Sequence, residues 1–109
     1  MILDFSSMQE TALEHFNGGE KALCAKIFND GSNKILRGRL EPGASIGLHT
    51  HETSSETIFF LSGTGYALCG GEREPVGPGL CHYCPKGTAH TLINDGQEDL
   101  VFFAVVPQQ

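Results

Sequence analysis

Two histidines one residue apart, His49-Thr50-His51, with Glu56 after four more residues, constrain this chain more than any other feature. In an extended segment alternate side chains share a face, so His49 and His51 project together as a chelating pair. Ile58 and Phe60 have the parity of Glu56, and a second strand running back beside the first would aim one carboxylate and two apolar groups into one interior. Downstream, Gly79, Pro85, Gly87, His90 and Asn94 form a second block, in which a Pro-Lys-Gly turn sets up another histidine. Three imidazoles and a carboxylate are typical ligands for a divalent transition metal.

At these residues the chain resembles the cupin family. Gly43, His49, His51, Glu56 and Gly63 match every fixed position of that family's first motif, and Gly79, Pro85, Gly87, His90 and Asn94 match every one of its second. The stretch from Gly43 to Asn94 is about half the chain. The resemblance implies an all-β fold, a small jelly-roll barrel of the double-stranded β-helix kind. It also implies that His49, His51, Glu56 and His90 hold one divalent metal ion: iron, manganese, nickel, cobalt or zinc. No single reaction is implied, because dioxygenases, decarboxylases, isomerases, lyases, storage proteins and sensor domains share the architecture.

A chain of 109 residues, 39% of them hydrophobic, suits one domain with one core. That domain is expected to cover 1–109, with the barrel over about 21–107 and an N-terminal arm over 1–20. Fourteen glycines and five prolines scattered between short apolar runs indicate many turns and little helix. A formal charge of −6 with no basic run excludes nucleic acid and anionic membrane as partners. The start, Met1-Ile-Leu-Asp4, reaches an acid at its fourth residue and has neither a basic n-region nor a long apolar core. It does not read as a secretion signal. The expected location is cytoplasmic, where Cys24, Cys69, Cys81 and Cys84 stay reduced.

Ser7-Met-Gln-Glu10 has capping-box spacing, and with Gly18-Gly19 it predicts a short helix carrying Ala12, Leu13 and Phe16. An arm packed along the barrel, or onto a second subunit, is the other reading. Strands are expected over 21–28, 34–41, 46–51, 57–62, 66–69, 72–76, 80–84, 89–93 and 100–106. Turns fall at Asn29–Asn33, Pro42-Gly43, Gly70-Gly71, Gly77–Gly79, Pro85–Gly87 and Asn94–Gln97. Phe59 and Leu61 lie opposite Glu56 in parity, so the strand 57–62 is apolar on both faces and needs a cover outside the barrel. A second copy of the chain, making a homodimer, would supply it.

Cys81-His-Tyr-Cys84 has the look of a redox or zinc motif. On a strand, however, its cysteines stand ~10 Å apart on opposite faces, and a disulfide needs Cα atoms within about 7 Å. Buried, inert thiols are the expectation. His82 shares parity with Leu80 and Cys84, which makes it either a structural histidine or a cavity residue beside Ile58 and Phe60 in a substrate pocket. Arg37 and Arg39 are read as solvent-facing, with an inward grip on a substrate carboxylate as the alternative. Two functions fit these features. In one, the chain is a small metalloenzyme acting on an anionic or chelating metabolite through open metal positions. In the other, it is a sensor or carrier that holds such a ligand around a structural metal, as tetrahedral zinc closed by all four ligands would favour.

Overall fold

The structure is a computed structural model describing residues 1–109. The strands are β1 Thr11–Glu14, β2 Ala22–Asn29, β3 Asn33–Leu40, β4 Ser45–Thr50, β5 Glu56–Ser62, β6 Gly65–Cys69, β7 Glu72–Val76, β8 Cys81–Cys84, β9 Ala89–Ile93 and β10 Leu100–Pro107. They form two antiparallel sheets, one of six strands in the order β1-β2-β3-β10-β5-β8 and one of four in the order β4-β9-β6-β7. This is the expected all-β jelly roll. No helix is long and apolar enough to cross a membrane.

The sheets face each other across a core built by alternation. On β10, Leu100, Phe102, Ala104 and Val106 are buried and the residues between them are not. Leu23, Ala25, Leu36, Leu40, Ile58 and Phe60 from the same sheet meet Ile46, Ala67, Val76 and Leu92 from the other. Phe102, 1% exposed, fits only because its β3 partner is Gly38: a Cβ there would lie 2.7 Å from the Phe102 ring. The hairpin at Gly70-Gly71 has positive φ at both residues, 58° and 85°. Such values match the twist of the flanking strands.

Turn chemistry ties the two motifs together. Gly87 (φ +85°) donates its N–H to the His51 carbonyl at 2.8 Å, which anchors the turn before β9 to the end of β4. Asn94, fully buried, donates through Nδ2 to the carbonyls of Leu40 (2.7 Å) and Glu98 (2.8 Å) and accepts from the Gly96 N–H (2.9 Å). Its fixed place is therefore explained by three backbone groups that would otherwise lack partners.

Two expectations need correction. The N-terminal segment is not a helix: after a 3-10 turn at Phe5–Ser7, capped by Asp4, β1 pairs with β2 from Thr11↔Ala25 to Glu14↔Ala22. An open sheet edge offers four residues a ladder, whereas a helix this short stabilises itself poorly. The segment then turns through Phe16–Gly18, packing so closely on β4 that a Cβ on Gly47 would run into the Asn17 carbonyl. Nor does β5 run back beside β4. It pairs with β10 and β8, so Glu56 approaches the histidines from the opposite sheet.

Candidate metal centre

His49 and His51 come from β4 and the residue following it, Glu56 opens β5, and His90 lies on β9 directly opposite His49 in the ladder. One ligand atom from each lies within 4.8 Å of all the others. Four contacts close them into a ring: His49 Nε2 to His51 Nε2 at 3.1 Å, His51 Nε2 to Glu56 Oε1 at 2.9 Å, Glu56 Oε1 to His90 Nε2 at 3.0 Å, and His90 Nε2 to His49 Nε2 at 3.1 Å. The sequence-predicted quartet is thus brought together.

The outward nitrogens are held as well. His49 Nδ1 donates to the Gly47 carbonyl at 2.7 Å, and a carbonyl can only accept. His49 therefore turns a bare Nε2 inward. His51 Nδ1 meets Ser54 Oγ at 3.3 Å, and His90 Nδ1 meets His82 Nε2 at 3.0 Å. Burial holds the His49 imidazole below its usual range, against the Gly47 carbonyl, which favours the protonated form. For Glu56 burial works upward, but the hydrogen bonds to His51 and His90 outweigh it and hold the carboxyl at about 2. A neutral His49 and an ionised Glu56 are the states in which these groups bind metal.

The quartet could hold a divalent ion. Ligands about 2.1 Å from one ion stand about 3.0 Å apart as neighbours on an octahedron and about 3.4 Å apart on a tetrahedron. The observed edges of 2.9–3.1 Å match the octahedral spacing. A ring of inward electron pairs at that spacing is only partly satisfied by protons, and one cation satisfies it all at once.

The ring borders a cavity of about 280 Å³ whose apolar wall includes Leu36, Ile46, Ile58 and Phe102. Ile58 is among its lining residues. Phe60 and His82 are not. Phe60 has the right parity but sits deeper in the core, its ring centroid 6.3 Å from that of Phe102. His82 faces inward too, yet His90 stands between it and the cavity. Arg37 and Arg39 face outward, Arg39 pairing with Glu10 at 2.8 Å and Asp99 at 3.4 Å.

Sequence reasoning missed Lys34, whose side chain lines the cavity. Its parity with Leu36 and Leu40, the inward residues of β3, was the available signal. It also missed Glu74, which reaches His82 from β7 at 2.7 Å. The thiol expectation needs amending: Cys84 is buried, Cys24 and Cys69 are half-buried, and Cys81 is exposed. Opposite facing of Cys81 and Cys84 is what strand alternation dictates.

A family model described as the cupin domain matches residues 36–106, from β3 through most of β10. The chain belongs to the cupin family. A curated relative, the oxalate-binding protein of Thermotoga maritima, is 28% identical over 97% of this chain and 93% of its own length. A solved structure described as a predicted oxalate decarboxylase from Thermotoga maritima superposes with a TM-score of 0.93 at 26% identity, covering all of both chains. A cupin-superfamily sugar phosphate isomerase from Silicibacter pomeroyi, 21% identical, gives 0.80 over all of this chain and 76% of its own, a likeness of fold.

Proposed function

We propose that this cupin binds one divalent transition metal through His49, His51, Glu56 and His90 and uses it to capture a small carboxylate of the oxalate class. The observation that carries the reading is the composition of the cavity. Outside the ring it offers one cation, Lys34, two threonines, Thr50 and Thr91, one amide, Asn17, and an apolar wall. A bound ion would supply a Lewis-acidic positive charge for a carboxylate oxygen. Three neutral imidazoles and one carboxylate leave the loaded site at +1, although the whole chain carries −6. Local charge dominates in an apolar, poorly screened cavity, whereas surface acids face water and salt. Lys34 adds a second positive group for the far end of a dianion, and Leu36, Ile58 and Phe102 limit its size and exclude water. The name of the Thermotoga maritima relative fits this chemistry.

Binding without turnover is favoured by what the cavity lacks. No carboxylate or imidazole outside the ring lines it, which leaves Lys34 as the one other side chain there that could pass a proton to or from a substrate. The octahedral edge spacing favours a second reading, since four protein ligands on a six-coordinate ion leave two positions where substrate and dioxygen, or a chelating substrate alone, could react. Outside the barrel, Phe59, Leu61 and Tyr83 are about half exposed on neighbouring strands β5 and β8, and we read this patch as the face covered by a second copy. A reducing, cytoplasmic setting suits its four free thiols.

Calorimetry separates these possibilities. Oxalate and its neutral diamide, oxamide, are titrated into metal-loaded and chelator-stripped protein, and into Lys34→Met. Oxalate should bind only the loaded form, more tightly than oxamide and about tenfold more weakly to Lys34→Met. Equal binding to stripped protein, or oxamide as tight as oxalate, contradicts the proposal. Release of formate or carbon dioxide from oxalate moves the conclusion to the enzymatic reading.

A further inference from the structure

The metal-facing nitrogen of His90 is backed by a buried file of groups running to the surface. His90 Nδ1 meets His82 Nε2 at 3.0 Å, and His82 Nδ1 meets Glu74 Oε1 at 2.7 Å. The two ring planes lie within 17° of parallel and their centroids 5.3 Å apart, about as far as a 3.0 Å N···N contact allows when it lies along the line of centres, so the contact runs close to their common plane, as a hydrogen bond between imidazoles requires. His82 is 2% exposed and the Glu74 side chain 42%. The file also joins open edges, because β8 ends the six-stranded sheet and β7 ends the four-stranded one.

Each link restricts the next. A carboxylate has no hydrogen to give, so His82 must carry its proton on Nδ1 and donate it to Glu74. Neutral His82 then has only a lone pair at Nε2, which obliges His90 to donate from Nδ1. With a metal in the ring, His90 is then left to bind it through Nε2, the atom that stands 3.0 Å from Glu56, to which it can donate only in the metal-free protein, and 3.1 Å from His49. Reversing the file would place the proton of His90 on Nε2, where it would block a metal. Within the ring only the ionised Glu56, whose Oε1 lies 3.0 Å from His90 Nε2, competes for the His90 proton, and a cation that takes both atoms ends that competition; His49 is set by its own carbonyl and His51 meets a hydroxyl that can donate or accept.

We infer that Glu74 and His82 are positioning residues which set the tautomer and orientation of His90 for metal binding, with Glu74, on the rim of the barrel, as the group that gives the file its direction. The inference rests on the metal reading above and extends it to two residues outside the cavity. Partners of this kind are worth 10–100-fold in metal affinity.

The test uses the full chain labelled with 15N at histidine, with Zn(II) as a diamagnetic probe. Long-range 1H–15N spectra should place the His82 proton on Nδ1 and none on Nε2, in metal-free and Zn(II)-loaded protein alike. In Glu74→Ala the His82 proton should move to Nε2, and Zn(II) affinity, measured by chelator competition, should fall 10–100-fold. Glu72→Ala, which removes an exposed carboxylate from the same strand, should stay within twofold of the parent. A proton on His82 Nε2 in the parent overturns the inference. So does a Glu74→Ala variant that keeps both its His82 tautomer and its affinity, or a Glu72→Ala variant that loses as much. A parent that takes up no Zn(II) sinks the metal reading instead, and the His82 tautomer of the metal-free protein still decides the direction of the file.

Discussion

Replacing Glu56 by glutamine exchanges a buried carboxylate for an amide of nearly the same shape, and the consequence depends on pH in a calculable way. In the folded protein the Glu56 carboxyl is held at about 2, because the hydrogen bonds to His51 and His90 overcome its burial, against 4.5 for an unperturbed group. A carboxyl depressed on folding contributes stability that is fully present above its unfolded value and is lost as pH falls toward the folded one. For Glu56 that window runs from about 4.5 down to about 2, and the contribution at neutral pH is about 3 kcal/mol. Glutamine does not titrate. The stability advantage of the parent over Glu56→Gln should therefore be flat above pH 5 and shrink by about 2 kcal/mol by pH 3. Urea unfolding of chelator-treated proteins measures it, followed by circular dichroism since the chain has no tryptophan. Taking the difference cancels the other acids. A parent-minus-variant difference that stays constant from pH 6 to pH 3, or widens, would refute the reading that the imidazole hydrogen bonds together outweigh burial at Glu56.

Further outcomes follow from packing and exposure. Gly38→Ala puts a Cβ 2.7 Å from the buried Phe102 ring and 3.2 Å from Leu23 Cδ1, so it should cost about 1–3 kcal/mol; an unchanged melting temperature would speak against the close fit. Burial, with Cys69 alongside, pushes the Cys84 thiol up to about 12, leaving a thiolate fraction of about 10⁻⁴ at pH 8. Iodoacetamide should therefore modify exposed Cys81 in the native protein and spare Cys84, as peptide mapping will show; equal labelling contradicts this. If Phe59, Leu61 and Tyr83 form the face between two copies, light scattering at micromolar concentration gives a dimer, and Phe59→Asp gives a monomer. A monomeric parent removes the idea.

The fold was legible because its signals are local. Period-two alternation, as in Leu100 to Val106, and turn residues such as Gly70-Gly71 located β2 to β10 to within a residue or so at each end. The quartet was legible through the two motifs that resemble those of the cupin family, while alternation alone paired His49 with His51 and gave Glu56 the parity of Ile58 and Phe60. What alternation cannot state is which sheet a strand joins. For that reason β5 was placed beside β4, although it lies across the barrel. The β1 segment was misread because a ladder with the next strand, from Thr11↔Ala25 to Glu14↔Ala22, overrode a local capping pattern. Depth was equally hidden: Phe60 and His82 face inward, but one lies deeper than the cavity and the other behind His90. Lys34 could have been found by parity with Leu36. Glu74 could not, because its meeting with His82 depends on how two sheet edges close.

The central claim is that the ring of His49, His51, Glu56 and His90 is a metal site, and a titration of chelator-stripped protein with Mn(II), read by calorimetry and checked by elemental analysis of the dialysed product, tests it most directly. The parent should take up one ion per chain, and His49→Ala, folded by circular dichroism, should take up none. Full occupancy in His49→Ala, or no uptake by the parent, would contradict the claim.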